Sequence, residues 1–148
     1  MRRSVFLASV CLSLFAMTVG LATAGESSAL KVRALPNAKQ EVPPQAFRVS
    51  KASGRFFGTL TKTNKGYRLS WQLSFSNLSG KATSAIIHRG RRGKQGATVW
   101  ILCSPCTSGA HGSAYASPGE VGLILQGRTY VNVETKKNPS GEIRGQIF

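Results

Sequence analysis

Cys103-Ser104-Pro105-Cys106 is the stretch of this chain whose residue types and spacing most directly suggest chemistry. Two thiols two residues apart can form a disulfide, serve as a redox couple, or supply half of a metal site. The redox option requires a helix N-terminus to stabilise the first thiolate. The residues after Cys106 are Thr107-Ser108-Gly109-Ala110-His111-Gly112, with two glycines and no helical pattern, so that mechanism loses its physical basis. The expectation is a tight disulfide that pins the end of the apolar run before it. The alternative is a zinc or copper site made by Cys103, Cys106 and His111, with His88 as a further ligand. No cofactor is expected otherwise.

A second group is Arg89-Gly90-Arg91-Arg92-Gly93-Lys94, four cations in six residues. Guanidinium forks suit phosphate, sulfate and carboxylate, and the glycines let the backbone approach a ligand. Arg89, Arg91, Arg92 and Lys94 are therefore candidates for anion binding, set against the plainer reading of a solvated loop in a basic protein. Lys136-Lys137 lies at the tip of another hairpin.

Catalysis finds little support. The chain has two histidines, no aspartate and no G-x-S-x-G, and its five acids are Glu26, Glu41, Glu120, Glu134 and Glu142. Neither a Ser-His-Asp triad nor a glycosidase pair can be assembled from these, and the chain reads as a non-enzyme.

Composition sets the compartment. Arg2-Arg3, an apolar stretch from 5 to 21 and Ala22-Thr23-Ala24 form the pattern of a secretory signal cleaved after Ala24. Removing 24 of 148 residues leaves 124, enough for one domain at 25–148, and loss of the two arginines takes the net charge from +15 to +13. Cys11 leaves with the leader, so Cys103 and Cys106 remain as an even pair in an oxidising compartment. The expected location is secreted or periplasmic. The basic excess points to an anionic polymer, a lipid head group or an extracellular protein as partner, with nucleic acid a poor fit to the compartment. No later stretch is apolar enough to span a bilayer.

The elements that must position these residues read as strands. Residues 67–75 alternate Tyr67, Leu69, Trp71, Leu73 and Phe75 with Arg68, Ser70, Gln72 and Ser74, the pattern of a half-buried antiparallel strand. Residues 30–35, 54–62, 83–89 and 130–135 also read as strands, and 142–148 returns from the last of these through the turn Asn138-Pro139-Ser140-Gly141. Residues 97–102 form an apolar run without alternation, expected as a strand buried on both faces. Residues 104–119 carry at most a short strand around 112–116, and 121–125 reads equally as strand or helical turn. Pro43-Pro44 makes 36–44 an extended connector. Seven or eight short strands and no helical stripe indicate an all-β fold, an antiparallel sandwich or a Greek-key-like barrel.

Glu41-Val42-Pro43-Pro44, Ala85-Ile86-Ile87-His88-Arg89-Gly90, Gly93-Lys94-Gln95-Gly96-Ala97-Thr98-Val99, and the closing Tyr130-Val131-Asn132-Val133-Glu134-Thr135 with Pro139-Ser140-Gly141-Glu142-Ile143-Arg144-Gly145-Gln146-Ile147 appear in that order. In this order they resemble the CHRD domain family, the chordin-type domain, in a secreted bacterial single-domain form. The resemblance implies a β-sandwich in an extracellular or exported binding or structural module, with no assigned activity. It marks His88, Asn132, Glu134 and Arg144 as polar positions of the family motif. The family pattern has histidines where Ile86, His88 and Glu134 stand, so a three-ligand metal site is in doubt here. A satisfied structural histidine is expected at His88, with a His88 to Glu134 hydrogen bond, a remnant of that site, as the alternative.

Overall fold

The computed structural model describes residues 29–148; the expected leader, its cleavage point and Cys11 lie outside them. Eight strands form two four-stranded antiparallel sheets that do not close into a barrel. The first sheet has β1 (Leu30–Ala34), β2 (Ser53–Thr63), β3 (Gly66–Ser76) and β6 (Ala110–Ala116), in the order β1-β2-β3-β6. The second has β4 (Ala82–Arg89), β5 (Thr98–Cys103), β7 (Thr129–Thr135) and β8 (Ile143–Gln146), in the order β5-β4-β7-β8.

Alternation dictates what each sheet buries. Phe56 pairs with Leu73 and Leu60 with Leu69 across β2 and β3, all fully buried, with Trp71 nearly so. Ala85, Ile87, Val131, Val133, Ile143 and Ile147 supply the facing layer from the second sheet. Side chains at directly opposed positions share a face, so this register fixes the outer faces as well.

The last hairpin ties the two sheets together along one side. Arg33 and Phe148 exchange backbone hydrogen bonds of 2.9 and 3.0 Å, and Asn37 and Arg144 do the same at 2.9 and 3.2 Å. The edge of β8 is thus covered by the stretch that leaves β1. That stretch is the expected connector, interrupted by one 3-10 turn at Ala38–Gln40. Inside the hairpin, the buried Glu142 accepts hydrogen bonds from the Ser79 amide and hydroxyl, the Thr135 hydroxyl and the Asn138 side-chain amide. Burial alone would raise the pKa of this carboxyl, but these donors outweigh it and hold the group below its ordinary value.

One expectation needs correction, and one open reading is decided. The apolar run Thr98–Cys103 is not buried on both faces: it is the outermost strand of its sheet, and Ile101 is 65% exposed. With β4 on one side and, among the described residues, no ladder partner on the other, its position is that of an edge, which composition alone could not distinguish from a central strand. Of the two readings of residues 121–125 the helical one holds, lengthened to a helix, α1 (Pro118–Leu125). Ser117 and Glu120 form a reciprocal capping box with Pro118 in the first turn, a start signal that the short apolar stretch after it obscured.

Leu73 is central to both the strand and the core. Leu73→Ala should lower unfolding free energy by about 2 to 5 kcal/mol in urea titrations. A loss below half a kcal/mol would be incompatible with this register.

Candidate functional site

The outer face of the second sheet, near its β8 edge, carries an unusual concentration of buried polar groups. In register, His88 of β4 opposes Tyr130 of β7, and Tyr130 opposes Gln146 of β8; one row along, Ile86, Asn132 and Arg144 line up. All share one face, which would ordinarily be wet. Yet Tyr130, Asn132, Arg144 and Gln146 are buried, because the 36–44 connector and the 89–97 loop lie over them.

Arg144, only 1% exposed, is the centre of this cover. Its guanidinium carbon stands 3.5 Å from the centroid of the Tyr130 ring, and one terminal nitrogen donates to the carbonyls of Arg91 and Lys94 at 2.9 and 2.8 Å. Gln146 donates to the carbonyls of Gly90, Gly127 and Thr129. The basic loop is therefore held by its backbone oxygens, while Arg89, Arg91, Arg92 and Lys94 are all exposed. A turn with Gly93 at φ +73° and a 3.0 Å bond from the Lys94 amide to the Arg91 carbonyl complete the loop.

Glu41 comes down on the same face from the connector. Burial pushes its carboxyl up to about 8, against the opposing pull of Arg144 and the Val42 backbone. Neither of its oxygens meets hydrogen-bond geometry with a protein group, and the same holds for both ring nitrogens of His88, Oδ1 of Asn132, Nη1 of Arg144 and Oε1 of Gln146. Gly141 is required beneath them. Its φ is +132°, and a Cβ there would lie 2.5 Å from Glu41 Oε2 and 2.6 Å from Asn132 Oδ1. The Glu41 carboxyl and the Asn132 amide thus crowd against the Gly141 backbone, with no nucleophile beside a base.

The family-motif positions divide accordingly. Asn132 and Arg144 belong to the covered cluster, and His88 stacks on Tyr130 at 5.1 Å with its pKa lowered by burial. The alternative, a His88 to Glu134 hydrogen bond, does not form. Glu134 opposes Ser84, four residues along β4 from His88, and accepts the Ser84 hydroxyl instead. Sequence reasoning does not reach Glu41, Tyr130 and Gln146 as site residues. Their signal is the alternation of the closing motif, which places Tyr130 and Gln146 on the polar face with Arg144; nothing local shows that Glu41 folds onto it.

The thiols lie at the opposite end of this sheet. The sulfurs of Cys103 and Cys106 are at disulfide distance with Cα atoms 5.0 Å apart, and Cys106 bridges back to Ala82 at the start of β4. His88 is at the far end of β4, opposite Thr98, and His111 is on the first sheet opposite Gln72. The zinc or copper alternative is not assembled: among the described residues, no three of His, Cys, Asp and Glu come together as ligands. Lys136-Lys137 also falls at the opposite end from the basic loop, since Ala82 pairs with Thr135 and Arg89 with Thr129.

Two antiparallel four-stranded sheets, with a covered polar cluster on one outer face and a cation loop pinned above it, define an all-β sandwich. The family model of the CHRD domain matches residues 32–147, and the chain belongs to that family. No curated protein and no solved structure gives a significant match.

Glu41 should be visible in the pH dependence of stability. It keeps its proton in the folded chain up to about pH 8, whereas the unfolded chain releases it near 4.5, so its contribution is full below 4.5 and is lost as pH rises through 8. His88 acts in the opposite sense, but only below 6.5, where the unfolded chain takes up a proton that the folded chain resists. Between pH 6.5 and 8, unfolding free energy should therefore fall with a slope approaching about 1 kcal/mol per pH unit. Glu41→Gln should flatten that slope in urea titrations across the window. An unchanged slope in the variant would assign the effect to another group.

Proposed function

We propose that this CHRD domain is an exported, non-catalytic binding module that presents Arg89, Arg91, Arg92 and Lys94 to an anionic ligand of the envelope or extracellular space. The observation that carries this reading is the pair of hydrogen bonds from buried Arg144 to the carbonyls of Arg91 and Lys94. A basic loop left free would lose conformational entropy when it bound; one already held by its backbone loses less, and its cations are offered in a fixed array. Export rests on the leader pattern of residues 1–24, and the CHRD domain is not a known enzyme family. Ligands that fit are an anionic polymer, a lipid head group or an acidic patch on an extracellular protein.

Binding of the whole domain to anionic phospholipid vesicles tests this reading. Affinity should fall steeply with salt, because exposed charges are screened over about 8 Å at physiological ionic strength. Arg91→Gln with Arg92→Gln should remove most of the binding while stability changes by less than about half a kcal/mol. Lys62→Gln with Lys65→Gln, the same charge change on another turn, should remove little. Equal losses from the two pairs would show that net charge alone is at work.

A further inference from the structure

The outer face of the first sheet has a chemistry of its own. Its register places Arg33, Phe57, Gln72 and His111 in one row across β1, β2, β3 and β6, and Lys31, Thr59, Ser70 and Ser113 in the next. Thr61, Arg68 and Tyr115 form a third row, and Arg55 and Ser74 stand beyond the first. No acidic side chain occupies any of these outward positions. The described carboxylate side chains, Glu41, Glu120, Glu134 and Glu142, belong to the second sheet, its cover and the cap of α1.

Two large aromatics stand out on this face, Phe57 at 52% and Tyr115 at 70% exposed. Strand geometry separates them by about 14 Å along the strands and about 10 Å across them. Between them lie hydroxyls and amides, and Arg68 donates to the Ser113 hydroxyl at 3.2 Å. A groove of about 530 Å³ opens at the β1 side, lined by Lys31, Arg33, Phe57, Thr59 and Phe148, with Arg33 stacked over the Phe148 ring.

We infer that this face is a docking surface for an extended acidic polysaccharide, one bearing carboxylate or sulfate groups. Arg33, Arg55 and Arg68 answer its charges, Phe57 and Tyr115 stack on sugar rings, and the Ser, Thr and Gln side chains between them exchange hydrogen bonds with its hydroxyls. A membrane surface would call for a contiguous apolar patch, whereas these aromatics stand apart with polar rows between them. A single-stranded nucleic acid would call for aromatics spaced for successive bases. The face is on the opposite side of the sandwich from the 89–94 loop, so it stands or falls independently of that loop's role.

The test uses the full domain with polygalacturonate and dextran sulfate as probes, neutral dextran as blank, and anionic phospholipid vesicles and oligothymidylate as competitors. Phe57→Ala with Tyr115→Ala leaves net charge untouched and should weaken binding to the acidic glycans at least tenfold at 0.15 M salt, with thermal stability unchanged. Arg91→Gln with Arg92→Gln should change it less than threefold. The inference is overturned if the aromatic pair has no effect, if both pairs cause equal losses, if neutral dextran binds equally well, or if vesicles or oligothymidylate depend on Phe57 and Tyr115 as strongly as the glycans do.

Discussion

A guanidinium buried on what should be a solvent-facing sheet surface is the constraint on which much of this domain depends. Taking such a charge out of water costs several kcal/mol, and only close, well-directed partners offset it. Arg144 has the Tyr130 ring beneath it and two loop carbonyls at its end, while its own backbone pairs with Asn37. Each partner comes from a different part of the chain. One side chain thereby sets the position of the connector, the basic loop and the last strand together, which accounts for a closing motif that packs its polar residues as tightly as its apolar ones.

The scarcity of acids has a related logic. Glu142 satisfies four donors inside the last hairpin, Glu134 takes a hydroxyl, and Glu120 caps a helix. Glu41 is neutral over much of the physiological range because burial outweighs the nearby Arg144. Carboxylates here are building materials. The exposed surface is left to the cations, and both outer faces of the sandwich carry them.

How much of this could be read from residues alone depended on whether the signal was local. Period-two alternation located β3 and the closing hairpin, and from β3 it identified Trp71 and Leu73 as core. It also placed Tyr130, Asn132 and Glu134 on one face. The same alternation could not supply the register between strands, and a shift of four residues separates His88 from Glu134, the partner that the alternative reading gave it. The edge position of β5 was invisible because Thr98–Cys103 is as apolar as a central strand. Glu41 was illegible for a different reason: it reaches the cluster across a hundred residues, through the path of a connector with no periodic pattern.

The bare edge of β5 gives the basic excess a further meaning. A strand that no described strand pairs on its outer side, free of charge and proline over Thr98–Cys103, is a template on which another copy could add its own strand. Nothing within the strand opposes that. What opposes it is long-range repulsion between molecules that each carry a net charge of +15 in the full chain. Colloidal stability is thus bound to the ionic medium, and a polyanion that neutralises this charge also removes the barrier between neighbours. Were the ligand the polyanion proposed above, binding it and gathering into assemblies along it would be physically coupled events.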